Sequence, residues 1–187
     1  MARVEDVASF FIEAGNNRAE NDMTNMRLNK LLYFAQVWNL FETGTPLFAD
    51  EIQAWKFGPV VPSVYDHFKV PMCGNDFFIS SGYEDYDPTR FTSEEITLLT
   101  DVDTYYKDFS SSKLVDMTHV EDGPWAQVFS ERKRHSVIEN NAIIEYYKAR
   151  VEKLPRVSKE IVCKLPVIRP KRASDGTAVF SRTAIDD

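Results

Sequence analysis

The chain has 187 residues, of which 43% are hydrophobic and 13% aromatic, enough for one domain with a real core and too apolar for a disordered chain. It has only 7 glycines and carries neither GxGxxG nor GxxxxGKS/T, which excludes the familiar glycine-lined phosphate loops. The net charge of −7 is uneven: residues 1–154 hold 15 basic and 25 acidic side chains (−10), and residues 155–187 hold seven and four (+3), so the body disfavours nucleic acid and suits a basic protein partner as well as plain solubility.

In chain order, Val4, Val7, Ala8, Phe11 and Ile12 share one helical face, and Asn16 and Asn17 end that helix. A longer helix is expected over about 25–42, about 27 Å long. Thr24 can cap it, although Arg27 stands where a full capping box needs an acid. Leu28, Leu31, Leu32, Ala35 and Trp38 form its apolar stripe, and Gly44 before Thr45 and Pro46 stops it. This helix reads as the central scaffold. Residues 51–56 read as a short strand, and "DFFIS" (76–80) as a second one that could pair with it.

Between them lies "AWKFGPVVPSVYDHF" (54–68). Gly58 can take a left-handed conformation, Pro59 and Pro62 restrict their predecessors, and Pro62 suits the first turn of a helix. The backbone from Phe57 to Ser63 is therefore nearly preset, with Trp55, Tyr65 and Phe68 positioned to pack on the scaffold helix. Such a corner serves either as core architecture or as the rim of a preorganised binding surface.

"YEDYDP" (83–88) is an acidic, aromatic loop, solvated or available as an anionic patch. Thr92 and Glu95 form a capping box that opens a helix with Ile96, Leu99 and Tyr106 on one side. Short helices follow over 110–119 and from Pro124. Ser136 with Glu139 reads as another capping box, opening a last helix with Ile143, Ile144, Tyr147, Val151 and Leu154 on its face. After Pro155 the helical period disappears, and the runs 161–163 and 177–180 are β-like. The expected fold class is α+β and predominantly helical. It is a single domain over 1–154 with a central buried helix, a two- or three-stranded β element and an extended basic arm over 155–187.

Catalytic chemistry finds little support. His67, His119 and His135 are not in metal-binding spacing, and no GxSxG occurs. Cys73 has no identifiable activating base, and Cys73 and Cys163 make neither a disulfide framework nor a zinc pattern. No catalytic, metal or cofactor site is expected. The acids in "MARVEDVASFF" do not suit a signal peptide and no apolar run reaches about 18 residues, so a cytoplasmic protein without a membrane partner is expected.

"MTNMRLNKLLYFAQVW", "GTPLFADEIQAWKFGPVVPSVYDHFK" and "MTHVEDGPWAQV", in that order, resemble the Panacea (SocA-like) antitoxin domain family, also found in phage-associated proteins. The resemblance runs over about 23–147. It implies a mostly helical, non-enzymatic antitoxin whose partner is a cognate toxin encoded nearby. For the SocA-like branch it implies the alternative of a proteolytic adaptor that delivers its toxin to a AAA+ protease. Some relatives carry an N-terminal DNA-binding domain. With about twenty residues ahead of the matched part, direct nucleic-acid binding is not expected, and homo-oligomerisation is left open. Trp55, Lys56, Phe57, Tyr65, His119 and Trp125 match the family's motif positions and are the candidate partner-binding residues. Toxins that act on nucleic acid are commonly basic, which would suit the acidic body. If the arm takes part, deleting residues 156–187 abolishes toxin pull-down while circular dichroism stays intact; unchanged pull-down would remove the arm from binding.

Overall fold

The computed structural model describes residues 1–18, 22–70, 77–133 and 135–153. Helix α1 (Val4–Asn16) buries the face formed by Val4, Val7, Ala8, Phe11 and Ile12. Helix α2 (Asn25–Thr43) starts at Thr24, whose side chain accepts from the Arg27 N–H, and ends at left-handed Gly44 (φ 72°). Its expected stripe is buried, but so are Tyr33, Phe34, Val37, Arg27, Asn29, Lys30 and Gln36. Fourteen of its nineteen residues are buried, so it has no broad solvent face. It is a core helix packed on α1, α4 (Ser93–Tyr106), α5 (Ser111–Thr118) and α7 (Asn140–Lys153).

A helix buried all round must find partners for its polar side chains inside the protein. Those on α2 reach into neighbouring backbone. Arg27 donates to the carbonyls of Phe109 (2.5 Å), Tyr106 (3.0 Å) and Lys107 (3.1 Å), placing a cation at the C-terminal end of α4. The Asp22 carboxylate, 3.0 Å away, balances that charge. The Gln36 amide donates to Phe48 O and Asn140 Oδ1, both at 3.2 Å, and its carbonyl accepts from Leu47 N at 2.8 Å.

The β element is a three-stranded antiparallel sheet in the order β2-β1-β3. β1 (Gln53–Trp55) pairs with β2 (Gly58–Val60) through a two-residue turn, Lys56 and Phe57, with Ala54 opposite Pro59. Pro59 lacks an N–H and is tolerated because β2 is an edge strand. β3 (Ser136–Val137) lies on the other side of β1. Helix α3 (Pro62–Phe68) starts at Pro62, and the short α6 (Pro124–Val128) starts at Pro124. The Thr92–Glu95 capping box is fully formed at the head of α4.

Several expectations are corrected. The strand over 51–56 is shorter, and its partners are β2 and β3 rather than 76–80. Phe78 instead bridges Thr24, and Ile79 N donates to Met23 O at 2.8 Å, which ties that stretch to the entry of α2. Ser136 caps no helix: its backbone belongs to β3, its hydroxyl donates to Lys133 O, and α7 begins only at Asn140. The pairing of Ser136 with Ala54, extended by Ile138 N to Ile52 O at 2.7 Å, outcompetes the local capping pattern. On α4, Ile96 is 41% exposed, and Leu98, Leu99, Val102 and Tyr106 face inward. Ile143 is buried, with Ile144 and Tyr147 packed against the core. The acidic loop is pinned down: Asp85 accepts from Arg3 at 2.8 Å, which holds its carboxyl below the usual range, and Asp87 caps a 3-10 turn at Pro88–Arg90. Cys73, Leu154 and the arm with its β-like runs 161–163 and 177–180 lie outside the described residues.

The two positive-φ glycines among the described residues, Gly44 and Gly58, can be tested by adding one methyl. At Gly44 nothing lies within 4 Å of a built Cβ, so Gly44→Ala meets only backbone strain, about 1–2 kcal/mol. At Gly58 (φ 96°) the Cβ would sit 2.7 Å from Thr118 Oγ1 and 2.8 Å from Lys30 Cε. Gly58→Ala is therefore expected to cost about 3 kcal/mol or more in urea unfolding. Equal losses at the two sites would contradict this packing.

Candidate functional site

Two prolines in five residues leave the 58–62 backbone with few donors but all its carbonyls. This backbone runs through the core, so its polar groups need side-chain partners. Helix α2 supplies most of them. Asn29 Oδ1 accepts from Val61 N at 2.8 Å, and Lys30 Nζ donates to Pro59 O at 2.8 Å. Asn25 Nδ2 donates to Tyr65 O at 2.9 Å, and Asn29 Nδ2 donates to Asn25 Oδ1 at 2.8 Å, which orients both amides. From the far side Trp125 Nε1 donates to Trp55 O at 2.9 Å. His119 Nδ1 lies 2.7 Å from Val115 O, the geometry of a donor, whereas Nε2 is a looser 3.4 Å from Lys56 O.

Lys30 is almost fully enclosed, and burial pushes its amine down to about 7. Among the described residues its only hydrogen-bond acceptor is the Pro59 carbonyl, with no carboxylate in ion-pair range. Gly58 is needed here because any side chain would collide with Lys30 and Thr118.

With the backbone fixed, the side chains of the hairpin tip point outward. Phe57 is 53% exposed, with Lys56 Nζ 5.5 Å above its ring. Trp55 is half-buried, meets Tyr65 edge-on at 4.8 Å and stacks on His135 at 4.4 Å. His135 takes a left-handed backbone (φ 68°) at that contact. Around them opens a cavity of about 650 Å³, lined by Asn25, Met26, Asn29, Lys30, Trp55, Lys56, Phe57, Val60, Tyr65, Phe129, Glu131, Arg132 and His135.

Of the six candidate residues, Trp55, Lys56, Phe57 and Tyr65 line this groove together. His119 and Trp125 do not; their rings meet at a tilt of 52° behind the hairpin, centroids 3.8 Å apart, and brace its backbone. The expected packing of Trp55, Tyr65 and Phe68 on the α2 stripe is only partly realised. Phe68 packs at the core edge beside His67 and Tyr83, whereas Trp55 and Tyr65 face the groove. Sequence reasoning missed Asn25, Asn29, Lys30 and the 131–135 loop. The signals were present: Asn25, Asn29 and Lys30 interrupt an apolar helix, and Arg132, Lys133 and Arg134 are three consecutive cations in an acidic chain. Among the described residues, no three His, Cys, Asp or Glu side chains are grouped to hold a metal, and no helix is long and apolar enough to cross a membrane.

Residues 28–126 match the family described as antitoxin SocA-like, Panacea domain, which is just over half of the chain. The chain belongs to the SocA-like Panacea family. Antitoxin SocA of Caulobacter vibrioides (strain NA1000 / CB15N) is 34% identical over 116 residues, covering 55% of this chain and 58% of that protein. The similarity thus spans less than two thirds of that relative. No solved structure matches. The Panacea segment contains Asn29, Lys30, the whole hairpin, Tyr65, His119 and Trp125, but stops short of Phe129 and the 131–135 loop. The hairpin, with Lys56 at its tip, thus lies inside the matched segment, and Arg132 lies beyond it.

The lowered Lys30 gives this site a pH signature. An unfolded lysine titrates near its ordinary 10.5, while the folded one titrates at about 7. Between those values the unfolded chain holds the proton and the folded chain does not, so this group makes stability rise with pH from about 7 to about 10. Urea unfolding across that window is expected to show the rise in the native chain and a flatter profile in Lys30→Met. Identical slopes would mean that Lys30 is not buried as described.

Proposed function

We propose that this chain is the antitoxin of a toxin–antitoxin system, that it neutralises a cognate toxin encoded nearby, and that it does so by binding alone. Membership of the SocA-like Panacea family and the similarity to a named antitoxin support the role. The observation that carries the choice of surface is the hairpin tip: Phe57 and Lys56 stand out in solvent on a backbone gripped at Trp55, Pro59, Val61 and Tyr65. Aromatic anchors on a fixed backbone bind with little ordering cost, which is how a small surface can give high affinity. The polar groups beneath the groove are engaged in holding that backbone, which favours recognition over turnover.

Trp55, Lys56, Phe57 and Tyr65 make the contact in this reading, and His119 and Trp125 act from behind by fixing the turn. Co-expression with the toxin-like reading frame beside this gene is expected to restore growth. Phe57→Ala and Trp55→Ala are each expected to weaken toxin binding by about thirtyfold or more, the effect of losing an interface hot spot of about 2 kcal/mol. Full protection by both variants would move the interface elsewhere. Failure of the native chain to protect would end the antitoxin reading.

A further inference from the structure

The groove is charged opposite to the protein that carries it. Residues 1–154 sum to −10, yet the rim of the groove presents two exposed cations, Lys56 and Arg132, against one acid, Glu131. Elsewhere in the fold Arg3, Arg18, Arg27 and Arg90 are each matched to a carboxylate. Lys56 and Arg132 have no carboxylate partner among the described residues. Between these cations the wall is apolar, made by Trp55, Phe57, Val60, Tyr65 and Phe129. A volume of about 650 Å³ holds several side chains rather than a single ion.

We propose that this groove takes a short acidic segment of the partner protein, in which an aromatic or large aliphatic side chain is flanked by carboxylates. The inference rests on the reading of this face as the toxin-binding surface and names the chemistry of the bound segment. The buried ring would enter among Trp55, Phe57 and Tyr65, and the flanking carboxylates would meet Lys56 and Arg132 at the rim. Complementary charge of this kind selects the partner and its register more than it adds raw affinity.

Other occupants fit less well. A nucleic-acid strand would bring a long polyanion against a body of −10. The arm over 155–187 carries +3, the same sign as the groove. In the acidic loop of a second copy two of the three acids are engaged, since Asp85 is paired with Arg3, and Asp87 accepts from Thr89.

The test uses the full chain and fluorescein-labelled, end-capped peptides. Asp-Glu-Phe-Asp-Glu is the probe, and Asp-Glu-Ala-Asp-Glu and Lys-Arg-Phe-Lys-Arg are the controls. A single-stranded oligonucleotide and a synthetic peptide of residues 156–187 serve as competitors. The acidic aromatic peptide is expected to bind about tenfold tighter than either control, and to lose about tenfold with added salt or in the double variant Lys56→Glu, Arg132→Glu. Both replaced side chains are exposed, so the variant should fold, and circular dichroism checks that it does. No binding of the acidic peptide, equal or tighter binding of the basic one, displacement by the oligonucleotide or the arm peptide, or an unaffected double variant would each overturn the proposal. The two readings separate cleanly. A chain that neutralises its toxin but ignores these peptides keeps the antitoxin function and loses the groove; a chain that binds the acidic peptide but neutralises nothing does the reverse.

Discussion

A proline-bracketed segment that runs through a core leaves carbonyls and one N–H with no strand to satisfy them. The donors and acceptor come from the helix beneath. Asn25, Asn29 and Lys30 leave α2 in sequence order and reach Tyr65 O, Val61 N and Pro59 O. Losing any one strands a buried polar group, which costs about 1–3 kcal/mol and more where a charge is involved. The arrangement is also the least adjustable part of the fold, because Gly58 leaves no room for a second atom between Thr118 and Lys30.

From this constraint the surface follows. A hairpin whose backbone is held from α2 on one side and from Trp125 on the other cannot swing, so its tip residues are presented at a fixed angle. The same polar logic recurs along α2. Arg27 closes the C-terminal end of α4 and Gln36 ties the chain after Gly44 to α7, so one helix sets the positions of most other elements. Beyond residue 130, Arg132 adds charge to the groove and His135 braces Trp55 by stacking on its ring.

Much of this architecture was legible in the residues, and for local reasons. Thr24, Gly44, Pro62, the Thr92–Glu95 box and Pro124 act within a turn of their own position, and each marks a helix end as expected. What failed was non-local. Ser136 carries a sound capping pattern, but β1 claims its backbone across more than eighty residues of chain. The 76–80 stretch is β-like, and its partner is the entry of α2 rather than β1. The groove was half legible. Its aromatics were visible around the prolines, while Lys30 and Asn29 were concealed because a polar residue on an apolar helix normally faces water. Only the all-round burial of α2 gives them a structural task. The choice between core corner and binding rim also dissolves: the backbone belongs to the core and the side chains of the tip belong to the surface.

The central claim is that Asn29 and its neighbours, rather than the hairpin's own strand pairing, fix the hairpin. Native-state hydrogen exchange on Asn29→Ala measures this most directly. The account predicts that the amides of the β1–β2 ladder exchange much faster than in the native chain, while those of Leu99 and Val102 in α4 keep their protection. Unchanged protection in the ladder, or a uniform loss across hairpin and α4 alike, would contradict it.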